Sequence, residues 1–175
     1  MDEKRNPSLD DLVDEIRAFR DGFASVILAT VDDAGEPDAS YAPSVVDPAG
    51  CFHVFVSALA RHARNLQANR RASVLLIESE ADAANVFARR RLTWDCRAEA
   101  VDREQAQWGQ ILDVFAARFG ALVTTLRQLA DFQLMRLVPV SGRYVRGFGQ
   151  AFSLEGPSLE RIHHLGPEDL PPQRG

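Results

Sequence analysis

Ala24-Ser-Val-Ile-Leu-Ala-Thr-Val31, Asp32-Asp-Ala-Gly-Glu-Pro37, Asp38-Ala-Ser-Tyr-Ala-Pro-Ser-Val-Val46, Asp47-Pro-Ala-Gly50 and Cys51-Phe-His-Val-Phe-Val-Ser57 follow one another without a gap. Each apolar run is short, and each break carries the Asp, Gly and Pro residues that favour tight turns. Three strands joined by two such turns form a meander, so antiparallel pairing is expected from the start of the chain.

Upstream, Ser8 with Asp11 has the spacing of a helix cap, and Leu9, Leu12, Val13, Ile16 and Phe19 recur at helical intervals up to Gly22. Downstream, residues 59–69 read as a short helix with Leu59, Ala63 and Leu66 on one face and Arg61, Arg64 and Gln67 on the other. Strands are expected over residues 72–78 and 87–101, the second with alternating Leu92, Trp94, Cys96 and Ala98. Asp102 and Gln105 suggest a capping box for a helix carrying Ile111, Leu112, Phe115, Ala116 and Phe119, with a further short helix over 122–130. Two last strands, 132–138 and 143–148, are expected around a turn at Pro139 to Gly142. The sum is mainly β with peripheral α helices, a six- to seven-stranded antiparallel split β-barrel rather than a doubly wound sheet.

With 175 residues, 46% of them hydrophobic and 26% charged, the chain has the balance of one globular domain. The barrel with its N-terminal helix is expected over 1–152, and the Pro-rich residues 153–175 as a C-terminal tail, flexible or docked on the partner subunit. No apolar run approaches the roughly 20 residues that span a bilayer, and the N-terminal residues show no secretory pattern. No membrane association and a cytoplasmic location are therefore expected. A net charge of −5 argues against nucleic acid as a partner. Cys51 and Cys96 lack a second Cys or a His at metal spacing and read as core residues.

Polar chemistry concentrates where the third strand runs into the short helix. Ser57 is followed by Arg61, His62, Arg64 and Asn65, and a helix N-terminus with nearby cations suits a phosphate or carboxylate. The same residues also fit a plain capping role for Ser57 with solvated arginines. His53 reads as a hydrogen-bonded sheet position.

Four segments together, 57–66, 87–93, 131–134 and 142–151, resemble the pyridoxamine 5′-phosphate oxidase-like FMN-binding split-barrel superfamily. Within it, they are most similar to the heme-utilization (HugZ/HutZ-type) branch. The resemblance implies a homodimer with FMN or heme held at the subunit interface. For a flavin it implies that Ser57, Arg61 and His62, with Arg89 or Arg91, hold the phosphate, and that Tyr41, Ala42 and Pro43 lie beside the ring. For heme it implies His163 or His164 as iron ligand, Asp131 of a second subunit as the carboxylate orienting that His, and Arg91 on the opposite side. An oxidoreductase fed by an external electron donor is the implied activity. An FMN-dependent oxidoreductase or flavin reductase with no heme role, or a noncatalytic protein that binds or stores heme or flavin, or a barrel that has lost its ligand, are the alternatives.

Overall fold

The computed structural model describes residues 8–169. Helix α1 spans Leu9–Asp21; Ser8 accepts the Asp11 N–H while the Asp11 carboxylate reaches back to Ser8, a closed capping box worth about 1 kcal/mol. Its apolar stripe buries Leu12, Ile16 and Phe19, and Gly22 ends it. Strands β1 (Ser25–Val31), β2 (Pro37–Val46) and β3 (Phe52–Ser57) form the expected meander, with Ile27 opposite Tyr41 and Val45 opposite His53.

Helix α2 (Arg61–Asn69) begins later than the sequence suggests. Leu59 lies before it and is 80% exposed, while Ala63 and Leu66 are buried. Strand β4 (Arg71–Ile77) then pairs with β1, and β5 (Arg91–Val101) pairs with β4. The latter starts four residues after the expected position, because 86–88 close into a 3-10 turn with Asn85 accepting the Phe87 N–H. Helices α3 (Ala106–Phe119) and α4 (Leu122–Leu126) follow. The Asp102/Gln105 box does not form: Asp102 Oδ1 accepts from the Glu104 N–H, and the N-cap Gln105 makes no side-chain bond.

Residues 132–147 form one continuous strand, β6 (Phe132–Gly147), in place of the two strands and turn expected there. Its first half pairs with β3, which closes a barrel in the order β3-β2-β1-β4-β5-β6. Pro139, which has no N–H to give, sits at a register shift opposite Cys96, so the strand bends there without ending. Gly142 is a packing residue: a Cβ on it would lie 2.5 Å from Trp94 Cε3. Beyond the bend, β6 pairs with β7 (Gln150–Glu155), which pairs with β8 (Arg161–His164). Of the segment expected as a tail, Ser153–Glu155 thus belongs to β7 and Arg161–His164 to β8; residues 170–175 lie outside the described part of the chain.

Leu28, Val54, Leu66, Val74, Leu92, Leu137 and Tyr144 fill the barrel. A second cluster of Val45, Phe55, Trp108, Leu112, Phe115 and Leu134 lies under α3. Strand β3 is therefore covered on both faces, which is why its sequence reads as an almost unbroken apolar run.

Candidate functional site

Alternation along the strands sorts side chains into the barrel interior and an outer face. The register then aligns one transverse row across seven strands: Tyr41 opposite Ile27, Ile27 opposite Leu75, Leu75 opposite Thr93, Thr93 opposite Arg143, Arg143 opposite Ser153, and Ser153 opposite His163. The next row sets Ile77 opposite Arg91 and Arg91 opposite Val145. Tyr41, Ile27, Arg143 and His163 are exposed, and Leu75, Arg91 and Thr93 are half-buried. The outer face is thus half-apolar, with arginines and one imidazole toward its β8 edge.

Neighbouring positions on a strand face opposite ways, and this separates the two histidines. His164 shares the inner side with Phe152, whose ring lies 5.2 Å away, and its Nε2 is 3.0 Å from the Gly149 carbonyl oxygen. His163 faces outward with Nε2 3.4 Å from Asp169 Oδ1. The Gly166 N–H, and secondarily His163, hold the Asp169 carboxyl below its ordinary pKa.

At the β3–α2 junction, Ser57 does not cap the helix. Its hydroxyl donates to Asp131 Oδ2 at 2.6 Å and accepts the Leu59 N–H, while the Ala58 N–H donates to the Asp131 carbonyl. Ala60 occupies the N-cap with no side chain to offer, so the first-turn N–H groups of α2 have no side-chain acceptor. Arg61 pairs with Asp32 at 3.2 Å and reaches Asp38 at 3.9 Å. The Glu36 N–H is the largest influence keeping Asp32 below its ordinary pKa, and Arg61 adds to it. His62 is half-buried, and desolvation outweighs Asp38 to lower its pKa. Asn65 is structural: its amide donates to Thr30 Oγ1 in the buried interior.

Among the remaining predicted residues, Arg89 is tied to the preceding loop through the Glu78 carbonyl and the Glu80 carboxylate. Arg91 keeps one guanidinium nitrogen on the Arg89 carbonyl and lies on the outer face. Tyr41 and Pro43 also lie on that face, whereas Ala42 points into the barrel. Asp131 meets neither histidine. It precedes β6, whose far half carries the row leading to His163, and 12 residues of strand at about 3.3 Å each make roughly 40 Å of contour.

A second polar cluster gives little sign of itself in the sequence. His53 is fully buried with Nε2 3.0 Å from Asp47 Oδ2, and its Nδ1 has no partner among the described residues. Arg136, opposite His53 on β6, donates to Cys51 Sγ at 3.2 Å and lies 3.5 Å from Glu99. Asp47, Cys51 and His53 are neighbours in the β2–β3 turn and the start of β3, but Arg136 and Glu99 come from β6 and β5, so sequence spacing does not link the two halves of the cluster. Both cysteines are free and buried, and burial is the largest cause raising their thiol pKa values.

The chain matches the pyridoxamine 5′-phosphate oxidase family over residues 12–146. It is 45% identical over 151 residues to heme oxygenase HutZ of Vibrio cholerae serotype O1, covering 86% of this chain and 85% of that protein. A crystal structure of HutZ, described there as a heme storage protein from Vibrio cholerae, superposes with TM-score 0.68 at 44% identity, over 72% of this chain and 88% of the other. The crystal structure of Campylobacter jejuni ChuZ gives TM-score 0.82 at 30% identity, over 98% of this chain and 69% of that one. No helix among the described residues is long and apolar enough to cross a membrane.

Proposed function

From the premise that this chain belongs to the pyridoxamine 5′-phosphate oxidase family, in its heme-utilization branch, we propose that it is a homodimeric heme-handling oxidoreductase. Two copies enclose the planar ligand against their outer sheet faces. The observation that carries this reading is the row Thr93, Arg143, Ser153 and His163, with Arg91 in the adjoining row. It sets an imidazole and two guanidiniums on one outer face that also carries Tyr41 and the apolar Ile27, Leu75, Ile77 and Val145.

That donor set suits heme. An outward-facing imidazole is an iron ligand, the apolar strip accepts a macrocycle, and guanidiniums take its carboxylates. Heme, when bound, supplies redox-active iron. His163 would hold the iron through one nitrogen, while a carboxylate beside the other would fix its tautomer and ring orientation. Asp169 stands in that position within one chain, and a second copy brings Asp131. Arg91, held by the Arg89 carbonyl, offers its remaining N–H groups toward the face as donors for developing negative charge. Packing of two faces excludes water from these donors, and electrons come from an external donor.

A second reading, an FMN-dependent oxidoreductase, is favoured by the uncapped N-terminus of α2 beside Arg61 and His62. The test is titration of the purified protein with hemin and with FMN, read by visible absorption, alongside light scattering. A heme band near 400 nm on a dimer supports the first reading. A flavin complex alone selects the second, and a monomer that takes neither ligand overturns both. Heme bound without turnover under a chemical reductant makes the protein a store rather than an enzyme.

A further inference from the structure

Ser57 is the last residue of β3, and Asp131 is the residue before β6. The register pairs Ser57 with Phe132, so Asp131 lies one position past the end of that ladder, where a side chain is ordinarily free to change rotamer. The chain ties it twice. The Ala58 N–H donates to the Asp131 carbonyl oxygen at 2.8 Å, and the Ser57 hydroxyl donates to Asp131 Oδ2 at 2.6 Å. Ser57 Oγ also accepts the Leu59 N–H at 3.2 Å, so backbone and carboxylate together set the direction in which its single proton points. A short hydroxyl-to-carboxylate bond is of the charge-assisted kind, stronger than a neutral pair. Asp131 Oδ1 accepts no bond from a described residue, which leaves one oxygen fixed and the other open.

The kind of partner matters as much as the distance. Unlike Asp32, which pairs with Arg61, and Asp169, which pairs with His163, Asp131 carries no ion pair among the described residues. A neutral hydroxyl holds the carboxylate without cancelling its charge, so the open oxygen stays a strong acceptor. We propose that Ser57 is a positioning residue for the heme ligand: it holds Asp131 ready to accept the iron-free N–H of His163 from a second copy, so that the order hydroxyl, carboxylate, imidazole runs across the dimer. This rests on the heme reading above and adds what holds its orienting carboxylate. Fixing the rotamer in the free chain removes that ordering cost from the binding step, and partners of this outer kind set the orientation and basicity of a ligating imidazole.

The experiment reads the iron–imidazole stretching frequency of the reduced, heme-loaded protein by resonance Raman, together with hemin affinity and the thermal melt of the heme-free protein. Asp131→Asn lowers the frequency, because the orienting carboxylate is gone. Ser57→Ala is expected to shift it the same way by a smaller amount and to weaken hemin binding about threefold, below the roughly 10- to 100-fold loss typical of a direct outer-shell partner. Ser57→Thr, which keeps the hydroxyl, restores the wild-type frequency, and Ser57→Cys, a weak donor of similar shape, falls between. A Ser57→Ala protein that melts earlier but keeps the wild-type frequency makes the bond a plain tie at the barrel end and overturns the proposal. A shift opposite to that of Asp131→Asn overturns it as well, as does a frequency that responds to Asp169→Asn and not to Ser57→Ala. In all three cases the heme reading stands. A heme spectrum indifferent to His163→Ala and Asp131→Asn alike ends that reading and the proposal with it.

Discussion

Ser57 donates its hydroxyl to Asp131 across 2.6 Å, joining the end of β3 to the residue that precedes β6. The resemblance assigns these residues to different ligands, Ser57 to a flavin phosphate and Asp131 to a heme-ligating histidine. Within one chain they hold each other, so engaging either ligand means changing what the hydroxyl and the carboxylate touch.

Asp131→Asn therefore separates the two ligands. The amide oxygen still accepts from Ser57, but the negative charge beside the α2 N-terminus is gone. A unit charge a few Å from a phosphate in water is worth roughly 1 kcal/mol, so FMN affinity is expected to rise about fivefold. Heme affinity falls or its band shifts, because the orienting carboxylate is lost. Parallel titrations check this; FMN affinity that is unchanged or weaker shows that Asp131 does not border the phosphate position.

His163→Ala and His164→Ala are expected to act on different observables. The first moves or abolishes the heme band and leaves the melting temperature near wild type, since His163 is exposed and its Asp169 contact is a surface pair. The second keeps the heme band and lowers stability by about 1 kcal/mol, through loss of the Phe152 contact and the bond to the Gly149 carbonyl. Heme spectra and thermal melts of the two variants settle it, and the reverse pattern would place the ligand on the inner side.

What was legible in the sequence was what local rules control. The Ser8/Asp11 box and the three-strand meander need only spacing and turn residues, and both form as read. The barrel is legible from strand count and turn placement. Pro139 and Gly142 misled because both are turn formers by composition, while the fold uses one at a bulge and the other beneath Trp94. The row from Tyr41 to His163 exists only through six strand pairings, and the side on which each of two adjacent histidines falls follows from β8 pairing at all. Arg146 and Glu15 are 131 positions apart and meet only when α1 folds over the barrel end.

Gly142→Ala tests the packing reading of that glycine. Its Cβ would lie 2.5 Å from Trp94 Cε3 and 2.6 Å from the Thr93 carbonyl oxygen, so the indole or the strand must shift. Overpacking of this kind costs about 1–3 kcal/mol. Urea unfolding of the variant is expected to show a midpoint lowered to match with an unchanged m-value; a neutral result would mean that β6 loosens freely at its bend.

The buried pair His53 and Asp47 is expected to make the fold less stable in mild acid. Burial is the largest influence on His53 and lowers its pKa below 6.5; Asp47 opposes this, and Arg136 adds to the lowering. The unfolded chain therefore takes up a proton near pH 6.5 that the native chain refuses until lower pH. Stability falls as pH drops from about 6.5 toward the folded value, at no more than about 1.4 kcal/mol per pH unit for this proton. Asp47 is itself desolvated, but bonds from His53 and the Cys51 N–H bring its pKa below 3.8, so its contribution persists through this window and is lost only at more acid pH. Cys51, which also faces Arg136, adds no proton uptake between pH 5 and 7, because burial raises its thiol pKa and it is already protonated there. Melts from pH 5 to 7.5 should show this slope in the wild type, and His53→Gln, which keeps a donor to Asp47 but cannot titrate, should reduce it to the part left by His62, whose pKa desolvation also lowers. A slope equal in both proteins would assign the acid lability elsewhere.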